Sequence, residues 1–157
     1  MSSPVAETTS KLLVIDDDLE VSAMLSDFLQ ASGYSVIVTH NGYDGIEAAF
    51  STRPHIIICD SSMPGISGAE VLRAIRENPS TTNTPFISMT GSPESMSGVH
   101  KPDAHLQKPF FLEEALALIE RLLAETKRCS DSLNLKSPLT APPRTDGEKP
   151  NEQRRLR

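Results

Sequence analysis

Four stretches of this 157-residue chain end in side chains whose types and spacing could do chemistry together. Leu12-Leu13-Val14-Ile15 runs into Asp16-Asp17-Asp18, Ile56-Ile57-Ile58-Cys59 into Asp60, Phe86-Ile87-Ser88-Met89 into Thr90-Gly91, and His105-Leu106-Gln107 into Lys108-Pro109. Each reads as a strand, and the second is followed by Ser61-Ser62-Met63-Pro64-Gly65, a loop. Open parallel α/β sheets bind ligands in the crevice outside the carboxyl ends of their strands, so the four ends would meet there. Carboxylates crowded in that crevice repel one another by several kcal/mol unless a cation intervenes. Such a nest of hard oxygens suits Mg²⁺, which takes one or two carboxylates and keeps positions for water or phosphate oxygens. A carboxylate beside that ion can serve as the nucleophile that receives a phosphoryl group. The transfer asks mainly for positioning and charge neutralisation, which the Lys108 ammonium and the Thr90 hydroxyl are suited to provide.

These side chains must be positioned by alternating strands and helices. After the first strand, Lys11 to Ile15, the residues Val21, Met24, Leu25, Phe28 and Leu29 form one apolar stripe of a helix that closes at Gly33, with Asp18 as its cap. Tyr34 to Thr39 is a second strand, Asn41-Gly42 a turn, and Ile46, Ala49 and Phe50 mark a second helix ended by Arg53-Pro54. Beyond Asp60, Ser67-Gly68-Ala69-Glu70 has capping-box spacing ahead of a third helix. Ser92-Pro93-Glu94 could start a fourth, but Ser95, Ser97, Gly98 and Pro102 keep it short or frayed. Leu112, Leu116, Ile119 and Leu123 give the strongest amphipathic pattern, a last helix ending near Lys127-Arg128. Residues 1–10 read as a flexible leader, 11–128 as one domain, and 129–157, with four prolines and little apolar periodicity, as a disordered tail.

Bulk properties narrow the function. The net charge is −6, and because residues 129–157 hold six Lys/Arg against four Asp/Glu, residues 1–128 carry −8. With that charge, no Trp and only 4% aromatics, nucleic acid and anionic membranes are poor partners. There is no signal architecture at the N-terminus and no apolar run of membrane-spanning length, so a cytoplasmic protein is expected. Cys59 and Cys129 fit no metal spacing, and Cys59 reads as a small core residue.

Val14-Ile15-Asp16-Asp17-Asp18, the pattern Asp60-x-x-Met63-Pro64-x-x-x-Gly68, Thr90-Gly91 and Lys108-Pro109-Phe110 together resemble the receiver domain of two-component response regulators over roughly residues 10–127. The resemblance implies a flavodoxin-like (βα)5 fold, a doubly wound parallel sheet of strand order 2-1-3-4-5. It implies that Asp60 is the phosphoacceptor, charged by a sensor histidine kinase or phosphotransfer protein. Asp17 and Asp60 would bind Mg²⁺ with the backbone carbonyl of Ser62, and Asp16 would hold the ion through water. Thr90 and Lys108 would meet the phosphoryl oxygens, and the Lys108–Pro109 peptide would be cis. Three departures stand out: His105 replaces the Tyr or Phe of the switch that works with Thr90, Lys101-Pro102 replaces Gly-Ala, and the span from Thr90 to Lys108 is short.

The resulting expectation is a stand-alone response regulator, not an enzyme, that signals to a downstream protein and is compatible with a phosphorylation-dependent dimer. Two rivals remain. Asp16-x-Asp18 also fits the start of a haloacid-dehalogenase-type phosphatase with Asp16 as nucleophile, although Glu20 stands where Thr or Val is expected. A receiver-like scaffold that accepts no phosphate is the other. Singly, each residue has a plainer reading, Asp16 and Asp17 as helix caps and Lys108 as a solvated lysine; their combination carries the argument.

Overall fold

The unbroken apolar runs fold as the central strands of a parallel sheet. The computed structural model describes residues 9–92 and 99–139. Its strands are β1 (Lys11–Ile15), β2 (Ser35–Thr39), β3 (Ile56–Asp60), β4 (Phe86–Thr90) and β5 (Ala104–Gln107), all parallel, in the order β2-β1-β3-β4-β5. All five residues of β3 and of β4 are buried, as expected for strands covered on both faces, whereas edge strand β5 alternates buried and exposed residues. The helices are α1 (Leu19–Ala31), α2 (Gly42–Thr52), α3 (Gly68–Glu77) and α4 (Leu112–Leu139). Right-handed crossovers place α1 on one face and α2 and α3 on the other, because the strand order reverses between β1 and β3. Leu13, Ile15, Ile57, Cys59 and Phe86 form the core with Val71, Leu72 and Ile75 of α3 on that second face.

Local chemistry fixes the helix starts. The Asp18 carboxylate accepts the N–H groups of Glu20 and Val21 at 3.0 and 3.1 Å, capping α1, and the Ser67 hydroxyl accepts that of Glu70. Asn41 is more than a turn residue: its side-chain oxygen caps α2 by accepting the Asp44 N–H at 2.9 Å. At the opposite edge of the sheet, Arg76 of α3 donates to the carbonyls of Thr82 and Thr84 and to Asp103, which also accepts the Phe86 N–H, so one clasp fixes the entries to β4 and β5.

The last helix differs from expectation. It does not stop near Lys127-Arg128 but continues to Leu139, through the first part of the stretch read as a disordered tail. Extending an existing helix adds one hydrogen bond per residue fixed, and residues 129–137 contain neither Gly nor Pro; the cations favour a helix end without enforcing one. The chain divides into a unit Met1–Glu120, which holds the sheet, and a unit Arg121–Arg157, which holds the rest of α4. The expected short fourth helix over residues 93–98, residues 1–8 of the leader and 140–157 of the tail lie outside the described residues. Among the described residues, no helix is long and apolar enough to cross a membrane.

Phe86 is fully buried whereas Phe111, between β5 and α4, is 73% exposed. Phe86→Ala is expected to lower the unfolding free energy by about 3–5 kcal/mol, and Phe111→Ala by less than about 0.5 kcal/mol. Urea midpoints at unchanged slope measure both.

Candidate functional site

In the paired register of β1 and β3, Ile15 stands beside Cys59, so Asp16 and Asp60 leave neighbouring strands at the same level. This is the point where strand order reverses and a crevice opens. Asp16 is fully buried, Asp60 is 6% exposed, and Asp17 is exposed at the rim. One oxygen from each of the three carboxylates lies within 4.8 Å of the others. The Lys108 ammonium sits between the two buried acids, 3.4 Å from Asp16 Oδ2 and 3.4 Å from Asp60 Oδ1. The Asp18 N–H donates to Asp16 Oδ1 at 3.0 Å, and the Ser62 N–H donates to Asp60 Oδ1 at 3.4 Å.

Lys108 reaches this position because the sheet ladder runs one residue past β5, its N–H donating to the Thr90 carbonyl at 2.8 Å. The Lys108–Pro109 peptide is cis. Thr90, buried at the end of β4, accepts the Ser92 N–H at 3.0 Å and donates its own proton to the Ser92 carbonyl. His105 is exposed on β5, in register with Ser88, and lines an open groove with Gln107, Lys108, Glu114 and Leu118. The structure thus brings Asp16, Asp17, Asp60 and Lys108 together, with the end of β4 alongside.

Two contributors carry less signal in the sequence. Gly68 begins α3 directly under the site: its N–H donates to the Ser61 carbonyl at 3.1 Å, and a Cβ there would fall 2.6 Å from the Asp60 carbonyl oxygen, so only glycine allows the approach. His40 follows β2, and its Nδ1 lies 3.2 Å from the Asp16 carbonyl oxygen.

Electrostatics here are set by burial and by an excess of negative charge. Burial, and next the Asp16 charge, push the Asp60 carboxyl up to about 6, although Lys108 and the Ser62 N–H pull the other way. Burial pulls Lys108 down, but Asp16 and Asp60 outweigh it and hold the ammonium above its ordinary value. Burial, then Asp60 and Asp16, keep the Cys59 thiol protonated, which fits a core residue. Three carboxylates against one ammonium, all with hard oxygen donors, fit a divalent cation of the Mg²⁺ type.

Residues 12–120 match the response regulator receiver domain family. Response regulator MprA of Mycobacterium avium is 35% identical over 126 residues, 78% of this chain and 54% of that protein. A Bacillus subtilis relative named uncharacterized transcriptional regulatory protein YkoG is 34% identical over 118 residues, 73% of this chain and 51% of its own length. The chain therefore spans about half the length of these curated relatives. Among solved structures, the chemotaxis response regulator CheY4 of Vibrio cholerae superposes with a TM-score of 0.69 at 28% identity, covering 73% of this chain and 99% of that one.

The raised Asp60 value has a defined sign. The folded protein binds this proton more tightly than the unfolded chain, whose Asp titrates near 3.9. The contribution to stability is therefore complete below about pH 4 and lost as pH rises through about 6. In metal-free buffer the unfolding free energy should fall over that window in the wild type, and the fall should be absent from Asp60→Asn, as read by urea titrations at each pH.

Proposed function

Because the chain belongs to the response regulator receiver domain family, the signalling domains of two-component systems, we propose that it accepts a phosphoryl group on Asp60 from the phosphohistidine of a sensor histidine kinase or phosphotransfer protein. The observation that carries this reading is the single Lys108 ammonium held 3.4 Å from both Asp16 and Asp60, in a cluster that Asp17 completes. Asp60 is favoured over Asp16 as nucleophile because Asp16 is wholly enclosed and its Oδ1 is committed to the Asp18 N–H. That argues against the phosphatase alternative, as does the family.

In this mechanism Asp17, Asp60 and the backbone carbonyl of Ser62 would hold Mg²⁺ directly and Asp16 would hold it through water. When bound, the ion neutralises charge on the phosphoryl oxygens. The Asp60 carboxylate attacks phosphorus; the new P–O bond forms as the P–N bond to the donor imidazole breaks, and the ring nitrogen keeps the electron pair. Lys108 moves from bridging two carboxylates to pairing with a phosphoryl oxygen. Thr90 exchanges its Ser92 partner for another phosphoryl oxygen, and His105 responds on the adjacent strand. The two arrangements form a two-state equilibrium that phosphorylation biases. The groove of His105, Gln107, Glu114 and Leu118 would then change shape for a downstream protein.

We read the output as a protein contact made by this domain in the cytoplasm, where kinases are charged, because the folded part is acidic and poorly suited to nucleic acid. Intact mass after incubation with Mg²⁺ and acetyl phosphate is the test. One phosphoryl adduct is expected, absent without metal and absent from Asp60→Asn. An adduct that survives Asp60→Asn but not Asp16→Asn would favour the phosphatase, and no adduct in any sample would leave a scaffold.

A further inference from the structure

Asp17 is the least constrained member of the acidic cluster. It is exposed, and among the described residues its carboxylate makes no hydrogen bond or ion pair, whereas Asp16 and Asp60 are buried and share Lys108. The direction in which Asp17 projects is therefore set by its backbone, above all by the peptide that joins Asp16 to Asp17. That peptide's carbonyl faces the imidazole of His40, with Nδ1 3.2 Å from the oxygen. A carbonyl oxygen has no proton to give, so the contact is a hydrogen bond only when Nδ1 carries one. It thereby fixes the ring tautomer as well as the peptide plane.

The surrounding bonds define the other edges of the turn. The Asp16 N–H donates to the Thr39 carbonyl at 3.1 Å, continuing the β1–β2 ladder one residue beyond Ile15. Asp16 Oδ1 takes the Asp18 N–H. The Asp16 carbonyl is engaged by neither of these bonds, and the side chain of His40, just after β2, meets it. We propose that His40 is a positioning residue for the cation site: its Nδ1–H holds the Asp16–Asp17 peptide in the orientation that turns the Asp17 carboxylate toward Asp60. This inference rests on the cation reading of the acidic cluster given above. It adds a residue that follows β2, a strand that contributes no ligand.

The test is Mg²⁺ affinity of the full, unphosphorylated chain by titration calorimetry, in wild type, His40→Ala, His40→Asn and Asp17→Asn, with thermal unfolding of each metal-free variant. Loss of one hydrogen bond of ordinary strength predicts weakening of Mg²⁺ binding in His40→Ala by roughly fivefold. The Asn amide places an N–H donor near the position of Nδ1, so His40→Asn should recover most of the affinity. A merely structural His40 would lower both thermal midpoints without the Ala–Asn split in affinity. Nitrogen-detected NMR of the wild-type imidazole supplies a measurement independent of any variant: the neutral ring should be protonated at Nδ1. Equal Mg²⁺ affinity in His40→Ala and wild type, or a ring protonated at Nε2, would overturn the proposal while leaving the cation reading intact. A wild type that takes up no Mg²⁺ would remove both.

Discussion

Everything at the carboxyl ends of the strands depends on one electrostatic constraint: two buried carboxylates, on adjacent parallel strands, are held by a single ammonium. Burial raises the proton affinity of Asp60, and the Lys108 charge offsets part of that rise. The fold answers by carrying β5 one residue further, through the bond from the Lys108 N–H to the Thr90 carbonyl, so that the lysine stem points back across β4 toward β1 and β3. The register of the sheet, the Arg76–Asp103 clasp at the far end of β4 and β5, and the burial of β3 all bear on where that one nitrogen lies. The compensation is incomplete, and Asp60 keeps a raised proton affinity. The remaining negative charge is what the cation and the phosphoryl group of the proposed reaction would meet.

How much of this was legible in the sequence follows from how each part is enforced. The central strands were readable because burial on both faces demands unbroken apolar runs, and β1, β3 and β4 have the bounds those runs suggest. Asp16, Asp17 and Asp60 were readable because a charge at the end of such a run has few structural reasons to be there, and Lys108 because it stands at a strand end before a proline. Asn41-Gly42 was ambiguous, since the same side chain that favours a turn also caps a helix. The end of α4 is not legible because propagation is cheap and nothing before Pro138 forbids it. His40 is not legible because it binds a backbone carbonyl, and every residue has one; no pattern of side chains announces such a partner.

The site also shows a division of labour between its strands. β1 and β3 supply carboxylates, β5 supplies the cation, and β4 supplies a hydroxyl engaged with its own loop. The two edges differ in kind. β2 abuts the acidic turn through backbone and imidazole, whereas β5 presents His105 and Gln107 to solvent beside the lysine. The pocket thus borders solvent-facing side chains at the β5 edge and a hydrogen-bonded turn at the β2 edge.

Gly68 gives this arrangement a further property. Its missing Cβ leaves the first turn of α3 in van der Waals contact with the carbonyl of Asp60, while its N–H holds the Ser61 carbonyl. In a saturation scan of the chain, position 68 would group with the charged residues of the pocket although it has no side chain of its own. A substitution there would shift the backbone from which the Asp60 side chain is suspended. The same contact makes the start of α3 a direct neighbour of the backbone that carries Asp60, the proposed phosphoacceptor.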